Sequence, residues 1–115
     1  MILDHDPARR ARLAALLDHA TDLELIGSTS TAAITHVLLD RLGTTRPDVV
    51  LVAVDLPDGE GPGTTATINA RYPRIRVLTY AENAAHPLAA RTLAAGACAV
   101  LTERNLVDDL RNALG

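Results

Sequence analysis

Lysine is absent from this chain, and all eleven basic side chains are arginines. Any fixed cationic charge must therefore come from guanidinium groups. Phenylalanine and tryptophan are missing as well, and two tyrosines are the only aromatic residues. Leucine, valine, isoleucine and alanine must then supply the core. The single cysteine, Cys98, excludes an internal disulfide and a cysteine-based zinc site. Its place at the start of an apolar run predicts a buried, inert thiol. Neither a secretory signal pattern nor an apolar run of membrane-spanning length occurs. The cytoplasm is therefore the expected compartment, with no membrane partner. A net charge of −3 and a pI near 5.7 argue against a nucleic-acid-binding surface.

At 115 residues the chain reads as one domain, 1–115, with a single core. Short apolar runs alternate with amphipathic helical patterns, without a repeat, low-complexity tract or linker. Only Met1 to Leu3 precede Asp4, where a central strand takes about five residues, so the first strand reads as clipped. Asp6 and Pro7 supply an N-cap and a first-turn proline, and Leu13, Leu16, Leu17 and Ala20 form a helical stripe. Leu23 to Ser28 reads as a second strand. Ile34, Val37, Leu38 and Leu42 share one face of a second helix that Gly43 ends. Val49 to Val54 is the third strand, followed by a helix from about Thr64 to Arg71 that stops before Pro73. Ile75 to Thr79 is the fourth strand. Asn83 to Ala95 reads as a helix with Pro87 in its first turn and Gly96 at its end. Cys98 to Thr102 is the fifth strand, and Leu106, Val107, Leu110 and Leu114 give the last helix its face.

Five strand–helix units in succession predict a doubly wound α/β fold, with a parallel sheet covered by helices on both faces. At this length the flavodoxin-like strand order 2-1-3-4-5 fits best. Function in such sheets sits beyond the carboxyl ends of the strands, beside strands 1 and 3. That points to Asp4 to Asp6, Ala53 to Asp58, Thr79 to Glu82 and Thr102 to Arg104.

Asp-Val-Val-Leu-Val-Ala-Val-Asp-Leu-Pro-Asp-Gly-Glu-Gly at 48–61 resembles the third strand and following loop of bacterial response-regulator receiver domains (CheY-like). Leu-Asp-His-Asp-Pro at 3–7 is similar to their first-strand acidic motif, and Val-Leu-Thr-Tyr at 77–80 to their fourth strand. Ala-Gly-Ala-Cys-Ala-Val-Leu-Thr-Glu at 95–103 resembles their Ala-Gly-Ala-x-Gly-Tyr-x-x-Lys signature. The motifs lie in the correct order, and the resemblance runs from Leu3 to Leu114. The Pro-Asp-Gly loop and helical layout look closest to the NarL/FixJ (LuxR-type) branch, whose receivers usually precede a helix-turn-helix domain. DNA contact would then fall to an effector domain outside these residues.

The resemblance implies a pocket of five chemical parts. Two acidic residues after strand one and an acceptor aspartate hold Mg2+, a hard cation that wants oxygen ligands. A hydroxyl after strand four and a lysine after strand five meet the new phosphoryl group, because phosphoryl transfer is accelerated mainly by positioning and charge stabilisation. Here Asp4 matches the first acidic position and His5 replaces the second, with Asp6 one place further on. Ala53 takes the acceptor's place, and a methyl group cannot attack phosphorus. Thr79 matches the hydroxyl. Glu103 stands at the lysine position, and no shift of alignment restores a lysine the chain lacks. Val100 takes the place of the aromatic residue that swings with the hydroxyl. The implied pocket is degenerate, with no catalytic residue, no cofactor and no metal expected; Asp4 and Asp6 are the weak candidates for Mg2+.

Each of these residues also has a plainer role. Asp6 reads first as the N-cap of the Pro7 helix. Without a phosphoryl group Thr79 is an ordinary strand-end residue. Asp55 as a substitute acceptor would lie about 6–7 Å along the strand from position 53. Glu103 beside Asp4 and Asp6 would raise carboxylate pKa values, or pair with Arg104 or another surface arginine. His5 could ligate a metal, sense pH or simply be solvated. His19, His36 and His86 form no constellation. Arg9, Arg10 and Arg12 read as a solvated face of the first helix, or as one that meets an acidic partner.

The leading expectation is an atypical receiver that works without phosphorylation, as a non-enzymatic binding and dimerisation module in signal transduction and transcription control. It would form a homodimer through helix 4, strand 5 and helix 5, or through helices 1 and 5. A partner protein or small-molecule ligand is the other candidate input. Two further readings stand beside it. One is a receiver phosphorylated at Asp55 or Asp58. The other is a small flavodoxin-like enzyme or nucleotide-binding protein, disfavoured because Asp-His-Asp-Pro replaces a glycine-rich phosphate loop.

Overall fold

The computed structural model describes residues 1–83 and 85–115. Among them, five parallel strands form one sheet in the order β2-β1-β3-β4-β5, the expected arrangement. The strands are β1 (Ile2–Leu3), β2 (Ser28–Thr29), β3 (Val49–Ala53), β4 (Arg76–Ala81) and β5 (Val100–Thr102). The helices are α1 (Pro7–Asp18), α2 (Ala32–Leu42), α3 (Glu60–Arg71), α4 (Ala89–Ala94) and α5 (Leu106–Leu114). Leu17, Leu110 and Leu114 line one cleft, which places α1 and α5 on a common face. On the other face Tyr72, after α3, donates to Asp40 of α2 at 2.5 Å, and α3 packs against α4.

β1 is central and short, yet it is bonded on both sides. Ile2 lies opposite Ser28 and Leu51, and the Asp4 N–H donates to the Thr29 carbonyl at 3.0 Å. Its brevity explains a departure from expectation: Leu23 to Ile26 are not strand, because β1 gives them no backbone to pair with. Leu23, Leu25 and Ile26 instead line a cleft of 530 Å³ with Met1, Val49 and Leu110, away from the strands' carboxyl ends.

The helical faces follow hydrogen bonding as much as hydropathy. Of the expected α1 stripe, Leu13, Leu17 and Ala20 are buried, but Leu16 is 41% exposed. In α2 the expected face is shifted: Leu38 and Leu42 pack against the core as expected, but Ile34 and Val37 are exposed, and Thr35 and Leu39 are the buried residues. Thr35 shares a 2.6 Å hydrogen bond with Thr29 and donates to the Thr31 carbonyl at 2.8 Å, so its hydroxyl enters the interior satisfied. α3 starts at Glu60 rather than near Thr64, since Pro62 in a first turn needs no intrahelical N–H partner. Gly61 permits that start. A Cβ there would lie 2.4 Å from the Val54 carbonyl oxygen.

The expected helix 83–95 is reduced to Ala89–Ala94, and Ala84 in that range lies outside the described residues. Asn83 Oδ1 accepts from the Ala85 N–H and His86 Nδ1 from the Leu88 N–H, local bonds that compete with helix formation. β4 runs on past Thr79 to Ala81. Cys98 is exposed, contrary to expectation, because β5 is the edge strand and begins only at Val100.

Candidate functional site

The carboxyl ends of β1, β3 and β4 converge on one side chain that sequence reading placed on a solvated surface. Asp6 caps α1, its Oδ1 accepting from the Ala8 and Arg9 N–H groups at 3.0 and 3.2 Å. That cap fixes Arg9 in the first helical turn, beside the end of β1. Asp4, which follows β1, is fully buried. Its carboxylate accepts from Arg9 Nε at 2.5 Å, Arg9 Nη2 at 2.9 Å, the Asp6 N–H at 2.9 Å and the Tyr80 hydroxyl at 2.6 Å. The other edge of the same guanidinium reaches Asp55, with Nη1 at 3.0 Å and Nη2 at 2.6 Å. Arg9 thus joins two carboxylates from different strand ends, with its guanidinium 5.8 Å from the Tyr80 ring centroid.

Electrostatics follow from this geometry. Burial by itself raises the Asp4 pKa, but the hydrogen bonds from Arg9, Tyr80 and the Asp6 N–H outweigh it and hold it below the ordinary value. The Arg9 hydrogen bond does the same for Asp55 against a smaller burial effect. Arg9 is raised, chiefly by its bond to Asp4. Burial, then donation to Asp4, raises the Tyr80 hydroxyl. The cluster is therefore a fixed set of one cation, two anions and a neutral phenol.

Other candidate residues lie at its edge or elsewhere. Ala53 ends β3 beside Tyr80 in register and is fully buried. His5 is partly exposed, with Nδ1 3.7 Å from Asp4 Oδ1. Thr79 does not join the cluster: strand alternation turns it to the opposite face, where its buried hydroxyl pairs with Thr92 of α4 at 2.8 Å. Val100 lies opposite Thr79 on β5 and is partly buried. Glu103 accepts from Arg12, a surface arginine as expected for it though not Arg104, so the α1 arginines are not all solvated. Asp58 is exposed in the Pro57–Gly59 turn with φ 60°.

Sequence reasoning placed Arg9 on a solvated face and gave Tyr80, inside the flagged stretch Thr79 to Glu82, no role, yet both left a signal. A cation in the first turn of a helix opposes the helix dipole, so Arg9 needed nearby carboxylates to be stable there. Tyr80 is one of two aromatic residues and sits at a strand's carboxyl end, where a phenol needs a polar partner once buried.

A parallel sheet of order 2-1-3-4-5 with acidic residues at the β1 and β3 ends defines the CheY-like class of flavodoxin folds. The family model for the response regulator receiver domain matches residues 1–115, and the chain belongs to that family, the receiver module of two-component signalling. No curated protein is a significant sequence match. Among solved structures, a LuxR-family two-component response regulator from Aurantimonas sp. SI85-9A1 is similar, with 21% identity, TM-score 0.84, and 99% of this chain and 82% of that one covered. A LuxR-family DNA-binding response regulator from Staphylococcus aureus shares 16% identity at TM-score 0.78, covering 98% and 92%. The response regulator domain of Thermotoga maritima CheB shares 17% at TM-score 0.79, again covering 98% and 92%. Among the described residues, no helix is long and apolar enough to cross a membrane.

The family implies Mg2+ at this end of the sheet, and the residues present do not fit it. Both oxygens of Asp4 and both of Asp55 already accept from Arg9. Among the described residues, no group of three His, Cys, Asp or Glu side chains is arranged to hold a metal.

Proposed function

We propose that this domain is an atypical receiver that regulates through protein contact without taking up a phosphoryl group. The observation that carries the reading is the Arg9 bridge: the carboxylates beside Ala53 are already neutralised by a cation built into the chain. Ala53 at the acceptor's place and Glu103 at the lysine's place support it. So does the Arg12–Glu103 pair, which puts the cation of that pair on α1 instead of after β5. Asp55 is a poor substitute acceptor, since the guanidinium holds both of its oxygens. Incubation with acetyl phosphate and Mg2+ followed by intact-mass and peptide mass spectrometry is the test. The expected result is unmodified protein; a phosphoryl adduct on Asp55 or Asp58 would refute the reading.

The domain is non-enzymatic in this account and works in the cytoplasm, in transcription control of the LuxR type, with any DNA contact made by an effector domain. Its output is a homodimer through α4, β5 and α5, where Leu93 is 47% exposed and Val100 and Val107 are partly exposed. Two-fold contacts are the commonest closed assembly of soluble chains. Sedimentation up to millimolar concentration should show dimer. Monomer throughout would leave a heterologous protein or a small-molecule ligand as the input.

A further inference from the structure

We infer that Arg9 is the resident cation of the site, occupying the seat that a divalent metal would take, so that removing its guanidinium uncovers a divalent-cation site made by Asp4 and Asp55. The inference rests on reading the pocket as one that does not react, and it names what has replaced the metal. Nη2 of Arg9 lies 2.9 Å from Asp4 Oδ1 and 2.6 Å from Asp55 Oδ1. Two carboxylates from separate strand ends therefore converge on a single positive nitrogen. A hard divalent cation seeks such a point, with oxygen ligands at about 2.0–2.6 Å. The other nitrogens extend the match: Nε takes the remaining Asp4 oxygen at 2.5 Å, and Nη1 the remaining Asp55 oxygen at 3.0 Å. No carboxylate oxygen is left without an arginine donor.

The cation is also tethered. It arrives on the first turn of α1, which Asp6 holds by its cap, and its side chain is 13% exposed. A metal exchanges with solvent and depends on its concentration; this guanidinium does neither. The charge balance at the strand ends is thereby made permanent and indifferent to Mg2+. A guanidinium is planar and cannot be deprotonated in a protein, so the cation itself is present at every ordinary pH and at any metal concentration.

Arg9→Gln keeps amide donors but removes the charge, and Arg9→Ala opens the seat fully. Mn2+ binding is read by electron paramagnetic resonance, and thermal unfolding is followed with and without Mg2+. The wild-type protein should bind no Mn2+ at the site and melt at the same temperature in either buffer. Both variants should bind one Mn2+ and regain stability with Mg2+. At a cation concentration about ten times its Kd, the unfolding equilibrium constant should fall about elevenfold. Adding Asp55→Asn to Arg9→Gln should abolish the gain. Stoichiometric Mn2+ binding by the wild type that broadens the Asp4 and Asp55 resonances would overturn the inference. So would variants, folded or not, that neither bind Mn2+ nor respond to Mg2+. Neither readout involves a phosphoryl group, so a failure here is distinct from a failure of phosphorylation independence.

Discussion

Replacing Arg9 by methionine keeps most of the side chain's apolar bulk and deletes the charge. Asp4 is fully buried and loses two of the four hydrogen bonds to its carboxylate, keeping those from Tyr80 and the Asp6 N–H. Breaking a buried ion pair from one side costs about 3–5 kcal/mol. The Asp55 half adds little, because that side chain is 40% exposed and water can replace the arginine. The lower end, about 3 kcal/mol, is the expected loss. A domain of ordinary stability, about 5–15 kcal/mol, stays folded. In urea, with a slope of about 1.5 kcal/mol/M, the midpoint should fall by about 2 M.

The pH dependence gives a sharper check. In the wild type the Asp4 and Asp55 carboxyls are held below the ordinary 3.8. Their stabilisation is therefore complete above that value and is lost as pH falls through the folded pKa. In Arg9→Met the burial of Asp4 is opposed by fewer donors, so its folded pKa rises. Stability from the protonated form is then present at low pH and lost as pH climbs through the raised value. The gap between the two proteins should be largest at neutral pH and narrow towards pH 4. A gap of about 3 kcal/mol corresponds to about two pKa units between them. Urea titrations from pH 8 to pH 4 measure it. A midpoint that does not move, or a gap constant across that range, would refute the claim that Asp4 depends on Arg9.

Ala53→Asp should lower stability by about 2 kcal/mol and still take no phosphoryl group from acetyl phosphate, because it forces a larger, charged side chain into a fully buried position beside two carboxylates; urea melts and mass spectrometry read the two effects. Gly61→Ala should cost about 1–3 kcal/mol, since the new methyl would stand 2.4 Å from the Val54 carbonyl oxygen and the start of α3 must shift to admit it. A melting temperature equal to the wild type would show that this end of α3 is more yielding than its packing implies.

The sheet was legible because each of its apolar runs is bounded by turn or cap residues, and because alternation with helices admits few topologies. The errors share a cause: contacts between segments far apart in sequence. Leu23 to Ile26 carry a strand's composition, but a strand exists only where a neighbour pairs with it. Thr35 lies outside the apolar face read for the second helix, and it is buried because Thr29 gives its hydroxyl a partner. The partner of Thr79 was not legible either: register sets Tyr80 beside Ala53 and turns Thr79, read as a strand-end residue, towards Thr92. The acidic residues of the site were found by their place beyond the strands' carboxyl ends. Its arginine was not, because a helical arginine reads as solvated unless its place in the first turn is weighed against the dipole.

The span of the Arg9 cluster along the chain bears on how fast the domain is lost as well as how stable it is. Arg9 and Asp55 are 46 residues apart and Asp4 and Tyr80 are 76 apart. Bonds that close such long loops form only after β1, β3 and β4 have found their register, on the native side of the folding barrier. The Arg9–Asp4 pair is local in sequence, but it gains its energy only once β1 is enclosed and Asp4 buried, so Arg9→Met should speed unfolding and leave the refolding rate nearly unchanged. The cluster then acts as a late-closing clasp, which sets how long a folded copy survives between excursions to the unfolded state.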